Sequence, residues 1–343
     1  MDWVNFFPPQ ARVCALPSWK APYLYIPADT RKLRWECAEL FPGWRPSGRL
    51  RRTLLRIKAA YMPGQIRTAN TERWRLGEFV AGIFDSAHTV ALLSNPRNFS
   101  GKLVAQIRNK NGAIIGYVKY GGREAARKRL QNEYAVLNAL PPDMGPTPLK
   151  FGNFLDGTAL CLSPLAGTEL MPETYLSPKI VAFINKLPAS DPHPLDSHPW
   201  ACRIREQAGN ELEKWFEKLE NRKWPIVLQH GDFAPWNLIV APDGSLRALD
   251  WEYANTEGFP YIDFAYYLLQ TDLLVHRKSP SAAIENAIEF ITSCIEIEPL
   301  DTFSARAIIA LAAYEQYTKS LEDGHSPATR VQKCRLSIWK DAV

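Results

Sequence analysis

Apolar and polar positions change period along the chain, and each change predicts a change of element. Residues 30–40 and 47–61 read as two short helices. In the second, SGRLRRTLLRIKAAY, Ser47 stands where an N-cap belongs. Leu50, Leu54 and Ile57 follow at helical spacing, with Arg51, Arg52, Arg56 and Lys58 around them. Such a stripe is expected to pack on its own domain and leave its arginines in water. The competing use is to lie on an anionic membrane surface or bind an acidic partner. Residues 72–84 predict a third helix. Residues 1–28, rich in Pro and aromatics, read as an irregular arm.

From His88 the pattern turns β-like. HTVALL, KLVAQIRN and AIIGYVKY are rich in β-branched and aromatic residues and predict three strands, the last two joined by the turn NKNG. EAARKRLQNEYAVLNAL, residues 124–140, predicts a helix with Leu130, Tyr134 and Leu137 on one face. Residues 147–165 predict two more strands, and LSPLAGTEL leads out of this small lobe. Beyond it, helices are expected over 181–187, 200–222, 261–274, 281–297, 303–321 and 329–339. A β-rich island at 225–251 interrupts them. The expected fold class is α+β: a small antiparallel-sheet lobe with one helix, then a mainly helical lobe. The expected division is an extension over 1–85, the small lobe over 86–165 and the large lobe over 166–343.

Composition is that of a globular protein, 46% hydrophobic and 22% charged over 343 residues. Charge is uneven: residues 1–80 carry 14 Lys and Arg against 6 Asp and Glu, so the basic character belongs to the N-terminal part. The six cysteines are scattered, with no CxxC pair and no His at zinc-ligand spacing. Free thiols in a reducing cytosol, and hence a cytoplasmic protein, are expected. The N-terminus lacks the pattern of a signal peptide, and no run of about 18 apolar residues suits a membrane span. No nucleic-acid partner is expected.

The island carries the chemistry. WPIVLQ runs into HGDFAPWN, and LIVA, PDGS and LRALD then read as a hairpin. That hairpin puts Asn237 and Asp250 at one open end, on opposite strands, with Asp232 on the loop leading in. Oxygen donors of this kind suit Mg²⁺, which keeps waters and borrows ligands from phosphate. Asp250 and Asn237 are then the metal ligands, and Asp232 accepts or orients a hydroxyl proton. His230 is expected to brace the loop through a buried hydrogen bond. Ordinary turn chemistry explains any one of these residues, but poorly explains them together.

HGD-x4-N followed by a strand ending in Asp resembles the aminoglycoside phosphotransferase/choline kinase family of the protein-kinase-like superfamily. The resemblance covers residues 88–270, about half the chain. It implies a bilobal kinase-like fold with ATP in the cleft. It also implies a lysine on the third small-lobe strand, matched by Lys119, paired with a glutamate on the next helix, matched by Glu133. LCLSPLAG matches the hinge, and Asp263 in PYIDFAYYLL matches an aspartate that braces the large lobe. The chain departs from the kinase pattern in having no GxGxxG. Ser94 and Asn95 of SNPRNFSG are the candidates to cradle phosphate.

Between Asp250 and Asp263 there is no room for the long activation segment on which protein kinases dock peptides. The expected acceptor is therefore a small hydroxylated molecule: a sugar or glycan precursor, an amino alcohol or an aminoglycoside. Glu252, Trp251 and Tyr253 are the substrate candidates, since acidic and aromatic groups hold cationic amines and sugar rings. The alternative is a catalytically silent kinase-fold module that docks through its basic N-terminal region.

Overall fold

The computed structural model describes residues 3–43, 46–94, 101–293 and 300–341. The chain divides into two compact units. The first comprises Met1–Asn138 and Pro146–Pro164, the second Ala139–Gly145 and Leu165–Val343.

In the first unit the elements are β1 (Arg12–Leu16), β2 (Leu24–Pro27), α1 (Arg31–Cys37), α2 (Pro46–Tyr61), β3 (Ile66–Thr68) and α3 (Arg75–Val80). These are followed by β4 (Ala87–Ser94), β5 (Lys102–Asn109), β6 (Ile114–Gly121), α4 (Glu124–Ala139), β7 (Pro148–Phe154) and β8 (Gly157–Leu162). Among the described residues the strands form one antiparallel sheet in the order β3-β1-β2-β4-β5-β6-β8-β7. The strands expected at 88–120 and 147–165 are present. The β5–β6 turn closes with Gly112 in the left-handed region, its N–H donating to Asn109.

Residues 1–28 differ from the irregular arm expected of them. β1 and β2 are short but hydrogen-bonded across to β3 and β4, so pairing with distant residues overrides the local Pro content. The helix expected over 72–84 is confined to α3. Thr30 caps α1, its hydroxyl accepting from the Leu33 N–H. α1 and α2 cover one side of the sheet, burying Cys37, Leu55 and Ala59 with Cys14, Leu16, Leu24, Ile26 and Ala91. A second cluster gathers Phe6, Phe7, Phe84, Val90, Leu92, Ile107, Val118 and Phe154. The stripe expected to pack, Leu50, Leu54 and Ile57, is instead exposed: the row that meets the sheet is Leu55 and Ala59.

In the second unit come β9 (Thr168–Glu169), α5 (Pro178–Ile184), β10 (Ala189–His193), α6 (Pro199–Ala208), α7 (Glu213–Phe216) and β11 (Trp224–Gln229). The rest are β12 (Leu238–Val240), β13 (Leu246–Ala248), β14 (Asn255–Gly258), α8 (Ile262–Gln270), α9 (Pro280–Ser293), α10 (Thr302–Glu322) and α11 (Arg330–Asp341). Two three-stranded sheets, β10-β11-β14 and β13-β12-β9, carry the island. One continuous helix was expected over 200–222. α6 ends instead at Gly209, whose φ of 56° leaves the right-handed helix, and the chain resumes as short turns. α8 is buried at every position, IDFAYYLLQ, and α10 buries most of its length between Ser304 and Gln316. Cys14, Cys37, Cys161 and Cys334 are buried thiols and Cys202 is an exposed one. Cys294 lies outside the described residues.

Candidate active site

In the first unit, Lys119 sits on β6 between Val104 of β5 and Leu160 of β8, so both its strand neighbours are core strands. Glu133 is fully buried on the face of α4 that also buries Ala126, Leu130 and Leu137. A carboxylate in an apolar stripe requires a partner. Lys119 Nζ supplies it at 2.5 Å from Glu133 Oε1. Tyr134, expected on that face, is half-buried and stacks on Phe151 with ring centroids 5.1 Å apart. Ser94 closes β4, its N–H donating to the Tyr23 carbonyl at 2.8 Å. Asn95 lies outside the described residues.

In the second unit the β12–β13 register fixes the motif. Leu238 faces Ala248, and the Leu249 N–H donates to the Asn237 carbonyl at 2.8 Å. Asn237 and Asp250 thereby flank the open end of one hairpin. Asp250 itself has a φ of 65°, a left-handed conformation that costs a non-glycine residue roughly 1–2 kcal/mol.

Asp232 is held from several sides. The Asn237 amide Nδ2 lies 2.9 Å from both the Asp232 carbonyl and Oδ2. The Tyr266 hydroxyl donates to Oδ1 at 2.5 Å. Burial is the largest influence on the Asp232 carboxyl and pushes it up. The Tyr266 bond opposes this and the Asp250 charge adds to it, bringing the group to about 6.

Tyr266 is not an isolated donor. Its oxygen accepts from Gln270 Nε2 at 2.8 Å, and Gln270 Oε1 accepts from Arg335 Nη2 at 3.1 Å. Arg335, on α11, is buried and also donates to Ser320 and to Gln332. A hydrogen-bonded chain thus runs from a buried guanidinium to the carboxylate of Asp232. Sequence reading missed all three residues. Tyr266 and Gln270, four apart on α8, look like part of an apolar helix, and Arg335 lies far along the chain.

His230 is fully buried. The Asp232 N–H donates to its Nδ1 at 3.3 Å, so Nε2 carries the hydrogen and donates to the Leu249 carbonyl at 2.9 Å. The imidazole thus clips the loop to the hairpin. Gly231 has a φ of 77°, and a Cβ there would meet the Tyr253 carbonyl at 2.2 Å, so only glycine fits. Asp263 accepts from the backbone N–H groups of His230 at 2.6 Å and Gly231 at 3.1 Å. Burial raises its carboxyl to about 7 against those two bonds.

The three substrate candidates fall in different places. Trp251 is fully buried, its indole N–H donating to the Ala248 carbonyl at 3.0 Å and its ring 4.5 Å from that of His230. Such packing leaves it no face for an acceptor. Tyr253 is half-buried and donates to Asp323. Glu252 is half-buried beside them. A cavity of about 570 Å³ in this unit is lined by Leu187, Trp224, Val227, Phe259, Phe264 and Asp263 among others, but not by Asp232, Asn237 or Asp250.

The donor set can be tested for a metal. Asp250 offers a carboxylate. Asn237 spends its Nδ2 on Asp232, which leaves Oδ1 as its ligating atom. Two hard oxygen ligands fit an ion that fills its shell with phosphate and water. Among the described residues, no three His, Cys, Asp or Glu side chains form a cage of their own.

Residues 169–291, which span the island, match the model of a phosphotransferase enzyme family. No curated protein matches the chain. The fold is similar to that of a thermostable mutant of aminoglycoside phosphotransferase APH(4)-Ia. The TM-score is 0.52 at 17% identity, over 78% of this chain and 99% of that one. The same enzyme in ternary complex with ADP and hygromycin B matches with a TM-score of 0.50 at 16% identity, over 78% and 99%. An ethanolamine kinase from Plasmodium vivax matches with a TM-score of 0.50 at 13% identity, over 78% and 84%. The fold is therefore the kinase-like one that the motif implied.

Proposed function

We propose, from the phosphotransferase-family match over residues 169–291 and the kinase-like fold, that this protein is an ATP- and Mg²⁺-dependent phosphotransferase acting on a hydroxyl of a small molecule. The observation that carries the proposal is the Asp232 carboxylate. It is half-buried, held by Asn237 and Tyr266, and next to a hairpin end that offers Asp250 and Asn237. Nucleotide use is supported by the ADP bound in the hygromycin complex of APH(4)-Ia.

In this reading Asp232 orients the acceptor hydroxyl and takes its proton as the oxygen attacks the γ-phosphorus and the bond to ADP breaks. Asp250 and Asn237 would hold Mg²⁺, which when bound neutralises charge on the phosphates. Lys119, fixed by Glu133, would contact phosphate, with Ser94 and Asn95 the candidates to cradle it. Catalysis is then mainly positioning and charge stabilisation. His230 and Asp263 hold the loop in shape.

The acceptor is a small molecule because the segment after Asp250 is tied down. β14 pairs with β11, Val227 facing Gly258 and Gln229 facing Asn255, which leaves no loop to form a peptide platform. Glu252 is the candidate to meet a cationic or hydroxylated acceptor. The test separates metal from chemistry. Calorimetry with Mg²⁺ and a non-hydrolysable ATP analogue should show binding preserved in Asp232→Asn and lost in Asp250→Ala. Equal binding by both variants would remove Asp250 from the metal site.

A further inference from the structure

α2 has two apolar faces, and the sheet uses only one. Leu55 and Ala59 are buried against β1, β2 and β4. Leu50, Leu54, Ile57 and Tyr61 are 63%, 57%, 39% and 64% exposed, and Met62 just beyond is 62% exposed. At about 100° per residue, the first four fall within an arc of about 60°, roughly opposite the Leu55–Ala59 row. A solvated helix normally turns its polar residues that way. Here the outermost positions are apolar, and they form one contiguous stripe rather than scattered single residues.

The borders of the stripe are basic. On that wheel Lys58 and Arg51 run along one edge, and Arg49 lies on the other side beyond Thr53. Arg49 and Arg51 are exposed and Lys58 is half-buried. From α1, the Arg31 guanidinium stands 5.2 Å from the Tyr61 ring centroid. Two acids of the neighbouring segment are engaged, Glu36 with Lys32 and Arg108, and Glu39 with Arg56. Residues 1–80 carry 14 Lys and Arg against 6 Asp and Glu, so the surroundings reinforce the sign.

We propose that the outer face of α2 docks on an anionic lipid bilayer, inserting Leu50, Leu54, Ile57 and Tyr61 while Arg31, Arg49, Arg51 and Lys58 meet the headgroups. A narrow apolar stripe flanked by cations combines the two attractions such docking needs, apolar burial and charge. A second copy of this chain fits worse, because a symmetric contact would bring the two basic borders together. The contact is interfacial: among the described residues no helix is long and apolar enough to cross a membrane.

The test is co-flotation of the full chain with phosphatidylcholine vesicles, with and without phosphatidylglycerol. The wild type should float with the anionic vesicles only, and less so as salt is raised. Leu54→Glu/Ile57→Glu and, separately, Arg51→Glu/Lys58→Glu should each lower the bound fraction at least about tenfold. Circular dichroism and melting temperature should match wild type, since neither pair is in the core. Should the glutamates disturb folding, Leu54→Ser/Ile57→Ser removes the same apolar groups more gently and should still lose the vesicles. Failure of the wild type to bind anionic vesicles, or undiminished binding by the apolar variants, overturns the proposal. So does a concentration-dependent dimer that Leu54→Glu/Ile57→Glu abolishes while vesicles go unbound.

Discussion

Asp232 shows how a single carboxylate is prepared by residues remote in sequence. Its Oδ1 takes the Tyr266 hydroxyl at 2.5 Å, and behind Tyr266 stand Gln270 and the buried Arg335. A hydrogen bond to a charged group contributes about 1.5–3 kcal/mol. Tyr266→Phe should therefore lower kcat by roughly tenfold to a hundredfold. The KM for ATP should stay near wild type, because the Tyr266 hydroxyl bonds Asp232 and Gln270 and neither is proposed to hold nucleotide. Steady-state kinetics measures the split, and a variant that raises KM with kcat intact would assign Tyr266 to nucleotide binding. Legibility at this scale follows the chain. His230, Asp232, Asn237 and Asp250 were readable because a loop and a hairpin place them by sequence spacing. Tyr266, Gln270 and Arg335 were not, because two helices bring them in by packing. Trp251 belonged to the same readable stretch, yet its burial emerges only from the fold.

At the scale of elements, β6 and α4 are joined by the Lys119–Glu133 pair. Breaking a buried pair leaves an unpaired charge, worth about 3–5 kcal/mol, whereas replacing both partners with apolar groups is often neutral. Lys119→Met should thus be strongly destabilised. Lys119→Met/Glu133→Leu should recover most of that loss in urea unfolding and still lack phosphotransfer. Recovery of activity in the double variant would make the pair purely structural. Strands and helices with strong periodicity were legible, as β4, β5, β6 and α4 show. β1 and β2 were not: each has at most five residues, and their evidence lies in partners across the sheet. In α2 two apolar rows compete, and periodicity alone selected the longer one. The sheet took the other row, Leu55 and Ala59, into its core with Cys14, Leu16 and Leu24.

Across the whole molecule, basic residues concentrate in positions 1–80, and β1, β2 and β3 of that stretch share one sheet with β4 and β5. Charge reports on partners more than on fold boundaries. Stability should also respond to pH through His198, which is fully buried, 3.1 Å from the Pro225 carbonyl and edge-on to Phe259. Burial holds its imidazole below the usual histidine range of about 6.5. The unfolded chain then takes up a proton before the folded one does. The His198 contribution is intact above about pH 6.5 and is lost as the pH falls below it. Asp232 and Asp263, raised to about 6 and about 7, act in the opposite sense, so the His198 part is read as a difference: the melting-temperature gap between wild type and His198→Gln should change in favour of the variant as the pH falls from about 7 to 5. An unchanged gap would place the sensitivity elsewhere.

The most direct measurement of the central claim is ADP release by the purified protein with Mg²⁺ and ATP, in the presence of sugars, amino alcohols and aminoglycosides. Release that depends on one acceptor class and disappears in Asp232→Ala, while the variant keeps its fold and its nucleotide, is the predicted result. Acceptor-dependent release that persists in Asp232→Ala would contradict it.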